Sequence, residues 1–158
     1  DEPDLVLEME PFDLGALAGE TAQPFQEPAA NKGIALDVRT QELKVNANRE
    51  SMRQLISILL DNAVKYTPQD GKILVETVRK GKKASLCVSN TVTPDQMQED
   101  PERLFDRFYR SDKARTQKSG GYGIGLSAAR AIAAAYKAEM RAYYEGKDSI
   151  VFEVMLVL

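Results

Sequence analysis

Ile58-Leu59-Leu60-Asp61-Asn62-Ala63-Val64-Lys65-Tyr66-Thr67 ends a segment whose apolar residues recur at three- and four-residue steps: Met52, Leu55, Ile56, Leu59, Leu60, Ala63 and Val64. That spacing predicts one long amphipathic helix from about Arg49 to Thr67, its stripe turned to a core. Asp61 with Lys65, and Asn62 with Tyr66, stand four apart along the border of the stripe. An Asp–Lys pair alone is what any exposed helix could carry. Asn62 is different, because asparagine is a poor helix former and in mid-helix calls for a reason. Its amide oxygen is a hard ligand, suited to a magnesium ion that keeps waters and phosphate oxygens around it. A lysine one turn on offers a point charge for phosphate, and Tyr66 a ring for a base to lie against.

Outward from this helix, Pro68-Gln69-Asp70-Gly71 is a turn signal. Residues 73–78 and 84–88 then alternate as a hairpin around 80–83. Upstream, 34–39 and 43–46 read as two short strands. Before them Leu14, Leu17, Thr21 and Phe25 mark a helix capped by Asp13, interrupted at Pro24 and Pro28 and ended by Asn31-Lys32-Gly33. Residues 5–12 interleave acidic and apolar positions like a strand. Downstream, a helix runs to about Tyr136, and 140–144 with 149–157 form a closing hairpin around 145–148. Short turns join most strand pairs, which predicts an α+β sandwich with a mixed or antiparallel sheet. The 158 residues fit one domain with a real core.

Composition narrows the chemistry. A net charge of −3 argues against a generally nucleic-acid-binding surface. No apolar run approaches the roughly 20 residues of a membrane span, and no signal peptide opens the chain. The one cysteine, Cys87, lies in an apolar run and reads as a small buried hydrophobe in a reducing setting. Histidine is absent, so Ser-His-Asp catalysis, Cys-His catalysis and His-ligated zinc are excluded within these residues.

Between 91 and 119 periodicity fades, and an aromatic knot appears, Leu104-Phe105-Asp106-Arg107-Phe108-Tyr109-Arg110. A connection of that length is more often functional than accidental. It runs into Gly120-Gly121-Tyr122-Gly123-Ile124-Gly125-Leu126, ahead of an alanine-rich helix. A P-loop would need Lys-Ser/Thr after its last glycine, whereas Leu126-Ser127 follows Gly125. A dinucleotide fingerprint would need a buried strand before the glycines, whereas 110–119 are polar and basic. The physics of anion binding survives both failures: glycines allow close backbone approach, and a helix start presents free N–H groups. Lys113, Arg115 and Lys118 would add charge. Taken alone, the cluster reads equally as a phosphate cradle or a flexible hinge.

Taken in order, three stretches make the chain resemble the catalytic ATP-binding domain of sensor histidine kinases. That superfamily is shared with gyrase, the ninety-kilodalton heat-shock chaperone and the mismatch-repair ATPases. The segment Leu60-Asp61-Asn62-Ala63-Val64-Lys65-Tyr66-Thr67 is similar to the N box, 104–110 to the F box inside an ATP lid spanning 91–120, and 121–127 to the second glycine box. The resemblance implies a single domain over 1–158, with 1–12 as linker and first strand. It implies a two-layer sandwich, about five strands in a mixed, mostly antiparallel sheet covered on one face by about three helices.

It also implies roles. Asn62 would bind Mg2+, Lys65 would contact phosphate, Tyr66 would flank adenine or ribose, and Asp61 would orient water or metal. Phe105 and Phe108 would anchor the lid, with Arg107 and Arg110 near the phosphates or a partner surface. Gly121, Tyr122, Gly123, Ile124, Gly125 and Leu126 would bend under the triphosphate ahead of a helix whose N–H groups face it. One motif departs: where the first glycine box has Asp-x-Gly-x-Gly, this chain has Asn90-Thr91-Val92-Thr93-Pro94. Asn90 can still accept the adenine amino hydrogen bond, though without charge assistance. Without the glycines this end of the lid should be stiffer. Tyr136-Lys137-Ala138 likewise replaces a His-Gly-Gly-like turn.

The implied reaction is γ-phosphoryl transfer from Mg-ATP to a histidine on a separate helical dimerisation domain, since this chain has none of its own. The chain is therefore expected to be a cytoplasmic fragment of a longer, homodimeric sensor anchored in the inner membrane, with a response regulator as partner and no nucleic acid. The competing readings are a nucleotide-binding scaffold with little activity, an anti-sigma-type serine kinase, and a generic α+β interaction domain.

Overall fold

The computed structural model describes residues 8–106 and 122–158, with 122–124 as backbone only. Strands β2 (Ala35–Arg39), β4 (Lys72–Lys80), β5 (Lys83–Thr91), β7 (Ser149–Val157) and β6 (Glu139–Glu145) form one sheet in that spatial order. β2 pairs with β4 in parallel and the other neighbours are antiparallel, so the sheet is mixed. A separate two-stranded ladder joins β1 (Glu10–Asp13) to β3 (Lys44–Ala47). Helices α1 (Leu14–Ala22), α2 (Gln26–Asn31), α3 (Arg49–Tyr66) and α4 (Tyr122–Ala135), with 3₁₀ turns at Gln23–Phe25, Gln96–Gln98 and Pro101–Phe105, complete the described elements. The strand expected over 5–12 begins at Glu10, and residues 1–7 lie outside the described ones.

The local starts and stops follow from side-chain chemistry. Asp13 Oδ1 accepts from the Gly15 N–H at 3.0 Å, capping α1, and from the Leu43 N–H at 2.9 Å, which draws the approach to β3 onto the same helix end. Pro24 lies in a 3₁₀ turn, Gln23–Phe25, that separates α1 from α2. Asn48 Oδ1 accepts from the Ser51 N–H at 2.9 Å and opens α3. At the other end of α3, Lys32 Nζ donates to the Val64 and Lys65 carbonyls at 2.7 and 3.2 Å, partnering groups the helix itself leaves unpaired.

Period-two alternation divides the sheet into two faces. The inner face carries Val75, Val88 and Phe152 in one cross-strand row and Leu86 and Val154 in the next, all at most 2% exposed. Onto it pack Leu14 and Leu17 of α1 and Leu55, Ile56, Leu59 and Leu60 of α3 in one continuous core. The outer face carries no helix among the described residues. Its centre is a row of Glu76, Cys87, Glu153 and Arg141. Cys87 is thus a half-buried free thiol on the outer face rather than a core residue, and burial pushes its pKa up.

Glu153 is fully buried there, yet ionised. Its carboxylate accepts from Lys80 Nζ at 2.8 Å, Ser85 Oγ at 2.6 Å and Arg141 Nε at 2.9 Å. Burial alone would push the carboxyl up. The hydrogen bonds from Lys80, Ser85 and Arg141 outweigh it and hold the pKa down at about 2, against a usual 4.5.

After α4 the chain turns through Lys137, which holds φ +59, left-handed backbone that favours glycine. The Ala138 N–H reaches the Ala133 carbonyl at 2.8 Å and the Lys137 N–H reaches Ala134 at 3.1 Å, the bond pattern of a Schellman cap. Lys137 occupies the place where the resemblance puts a glycine, and keeps the glycine conformation.

Lys137→Gly is therefore expected to stabilise the fold by about 1 kcal/mol, read as a higher urea midpoint; an unchanged midpoint would show that the turn holds no strain. For Glu153 the depressed pKa means its contribution is whole above pH 4.5 and is lost as pH falls from 4.5 toward 2. The loss has an upper bound on the order of 3 kcal/mol, trimmed by the half-exposed Lys80 and Arg141 heads. Urea unfolding at pH 6, 4 and 2.5 should show wild type losing its advantage over Glu153→Gln across that window; parallel curves would refute the assignment.

Candidate functional site

Asn90 is the polar exception of the inner face. Its row reads Leu36, Ile73, Asn90, Ile150, Tyr144 across β2, β4, β5, β7 and β6. It is 4% exposed, and a buried amide between two isoleucines costs free energy unless its polar atoms are partnered. Nδ2 donates to the Thr91 carbonyl at 2.9 Å. Oδ1 receives no hydrogen bond from any described residue. Asn90 is therefore a buried acceptor at the end of β5 that has no donor among the described residues.

The end of α3 lies against that strand end. Gly71 closes the gap: a Cβ there would stand 2.6 Å from Thr67 Cγ2, 2.8 Å from the Pro68 carbonyl oxygen and 3.2 Å from Thr91 Cβ. Only a residue without a side chain fits this approach. One to two turns back along α3 are the border residues. Asn62 is half-buried, and no described residue hydrogen-bonds its amide. Lys65 Nζ lies 3.0 Å from Asp61 Oδ2, with 39% and 57% of these side chains exposed. An exposed pair of that kind holds by at most about 1 kcal/mol, so Lys65 can exchange Asp61 for a stronger anion. Tyr66 is half-buried as the last residue of α3, and its carbonyl accepts from Gln96 Nε2 at 3.3 Å.

The glycine cluster differs from expectation. α4 begins at Tyr122, so Gly123 and Gly125 belong to its first turn instead of a bend ahead of it. The N–H groups of a first turn have no partner within the helix, so glycine's entropic cost there is small and its open surface is gained. A Cβ at Gly125 would touch Ile58 Cγ2 at 3.8 Å, which sets the α4 start beside α3 one turn before Asn62. Leu126 is buried against the core. Gly121, Arg107, Phe108, Arg110, Lys113, Arg115 and Lys118 lie outside the described residues.

Between β5 and the last described residue before the gap, Asp106, the chain is held at several points. Val92 is buried and its N–H donates to the Asp148 carbonyl at 2.8 Å. Gln96 Oε1 accepts from the Thr93 N–H at 2.7 Å, and Tyr144 Oη donates to the Gln96 and Glu99 carbonyls at 2.9 and 2.7 Å. Phe105 is buried with its ring edge-on to Phe152, centroids 5.8 Å apart. Sequence reasoning singled out Phe105 but missed Gln96, Tyr144, Glu102 and Arg130. Their positions carry no periodic signal, because contacts between distant segments are fixed only by the fold.

Among the described residues no group of three His, Cys, Asp or Glu could hold a metal, and no helix is long and apolar enough to cross a membrane. An ion at this site would rest on Asn62 and on the ligand's own oxygens, the open coordination magnesium favours.

Comparison with known proteins bears on the family and the fold. A family described as Histidine kinase-, DNA gyrase B-, and HSP90-like ATPase matches residues 47–157. The chain is 33% identical over 154 residues to the probable sensor protein PcoS of Escherichia coli, covering 98% of this chain and 32% of that protein. It is 40% identical over 107 residues to the sensor protein CiaH of Streptococcus pneumoniae, covering 68% of this chain and 24% of that one. The chain thus spans about a third or less of the length of these relatives. In architecture it superposes on the catalytic domain of the histidine kinase ThkA in a nucleotide-free form, with TM-score 0.79, 24% identity and 96% of both chains covered.

If the Asn90 acceptor is kept for a ligand rather than for the fold, Asn90→Leu should not destabilise the protein. We expect an unfolding free energy unchanged or higher by about 1 kcal/mol. A clear fall in the urea midpoint would assign Asn90 a structural task instead.

Proposed function

The chain belongs to the histidine kinase-, DNA gyrase B- and HSP90-like ATPase family, as a sensor histidine kinase catalytic domain, and from that premise we propose that it binds Mg-ATP and passes the γ-phosphoryl group to a histidine on another domain. The observation that carries the reading is the donor-less Oδ1 of buried Asn90, an acceptor suited to the amino group of adenine. At the other end of the nucleotide, the first-turn N–H groups of α4, from Tyr122 through Leu126, donate to phosphate together with Gly121. Lys65 leaves Asp61 for a phosphate oxygen, and Tyr66 lies along the adenine or ribose. Asp61, released from Lys65, orients water near the metal. Arg110, outside the described residues, would serve the phosphates or the partner surface by its place in the motif.

Mg2+ would be held by Asn62 and would neutralise charge on the phosphate oxygens. The protein's part is to position. Phosphoryl transfer needs little covalent chemistry, so a site made of backbone donors, one lysine and two amides is sufficient in kind. The acceptor histidine must come from outside, because the chain contains none. The partners we infer are a helical dimerisation domain carrying that histidine and a response regulator. The complete protein would then be a homodimer at the inner membrane, with this domain in the cytoplasm and residues 91–120 acting as the ATP lid.

Titration calorimetry of the chain with ATP, in the presence and absence of Mg2+, tests the reading. We expect binding that Mg2+ strengthens and that Asn62→Asp reduces by about tenfold or more, with the thermal unfolding midpoint unchanged. No binding at about millimolar nucleotide, where working KM values end, would instead favour a scaffold without kinase activity.

A further inference from the structure

One side chain ties the described part of the proposed lid, at Glu102 and Phe105, to both the sheet edge and the glycine-box helix. Arg130 sits midway along α4, next to buried Ala129. Its guanidinium donates to the Met140 carbonyl at 2.8 Å and to Glu102 Oε1 at 2.8 Å, and its Cζ lies 4.1 Å from the centroid of the Phe105 ring. The other carboxylate oxygen of Glu102 accepts from the Ala142 N–H at 3.0 Å. Met140 and Ala142 belong to β6, the edge strand, so the pair also occupies backbone groups that no further strand takes up.

The packing of α4 explains why such a tie is needed. Among its described side chains the buried ones are Leu126, Ala129 and Ala133, with Ile132 at the margin. Alanines let α4 come close to α3 but interlock weakly, so apolar contact fixes the separation of the helices better than the axial position of α4. The phosphate donors of a helix start depend on that axial position. A planar guanidinium with two directed bonds and a ring beneath it supplies the missing constraint.

We propose that Arg130, with Glu102, is a positioning pair for the phosphate end of the site, fixing the axial position of α4, and with it its first turn, relative to Glu102 and Phe105 of the lid segment. This inference rests on the Mg-ATP reading. Arg130 and Glu102 are 40% and 45% exposed, so the pair adds little to stability while still fixing direction. That separates it from a merely structural contact.

Binding of Mg-ATP and of adenosine, which lacks phosphates, is to be measured on the chain by calorimetry. Arg130→Met should weaken Mg-ATP by about tenfold and leave adenosine within about twofold, with the urea midpoint nearly unmoved. Arg130→Lys keeps the charge but not the fork or the ring contact, and should recover only part of the loss. Glu102→Gln should weaken Mg-ATP by about threefold and add nothing to Arg130→Met. Unchanged Mg-ATP affinity in Arg130→Met, or equal loss of adenosine, overturns the inference while leaving the Mg-ATP reading in place. If Arg130→Met does not fold, Glu102→Gln decides, and unchanged affinity there overturns it. A wild-type chain that binds neither probe overturns both.

Discussion

The seating of α3 on the inner face of the sheet is the constraint from which the site follows. Leu55, Ile56, Leu59 and Leu60 are all fully buried, so the helix cannot rotate without lifting leucine and isoleucine into water. That locked rotation puts Asp61, Asn62 and Lys65 on the border, where polar atoms meet both core and solvent. It also fixes where α4 can lie, because Gly125 approaches Ile58 on the same helix. The C-terminal end of α3 then meets β5 through Gly71, bringing the border residues and Asn90 to one end of the sandwich. A single amphipathic helix thereby sets the relative places of the border residues, the start of α4 and Asn90.

Much of this was legible in the sequence because it is periodic or local. Met52 through Val64 gave the helix, alternation gave β4 to β7, and Asp13 announced its cap. Asn62 stood out because asparagine is out of place in mid-helix, and Asn90 because it breaks a family pattern in an otherwise alternating strand. What stayed hidden was non-local. The pairing of β1 with β3 joins segments more than thirty residues apart, and nothing in 10–13 specifies its partner. The Glu153 cluster gathers Lys80, Ser85 and Arg141 from three other strands, and its glutamate reads in sequence as an ordinary outward-facing strand residue. The helical state of Gly123 and Gly125 was also hidden, since glycine signals a bend, and the approach of Gly125 to Ile58 is a contact between distant segments.

The two faces of the sheet solve the burial of charge in opposite ways. On the outer face Glu153 has every partner it needs, and its ionised state is held firmly. On the inner face Asn90 is left one partner short in a row of isoleucines. A fold that satisfies a full carboxylate with three donors on one face does not lack the means to satisfy an amide on the other. An acceptor without a donor among the described residues is what the proposed adenine contact requires.

The neutral amide also bears on the neighbouring segment. A carboxylate at position 90 would bind an amino group more tightly than an amide can. Here the weaker acceptor is joined to a lid root whose backbone is held by Asp148, Gln96 and Tyr144. A pinned root has less conformational entropy to lose when a ligand arrives than a glycine-rich one. Under the proposed reading the two departures from the family pattern would act in opposite directions on affinity: one lowers the gain at adenine, and the other lowers the cost of ordering the segment beside it. Arg130 belongs to the second effect, since Glu102 and Phe105 reach α4 through it. On the proposed Mg-ATP reading, pre-arranged backbone beside Asn90 would offset part of what the neutral amide gives up at the base.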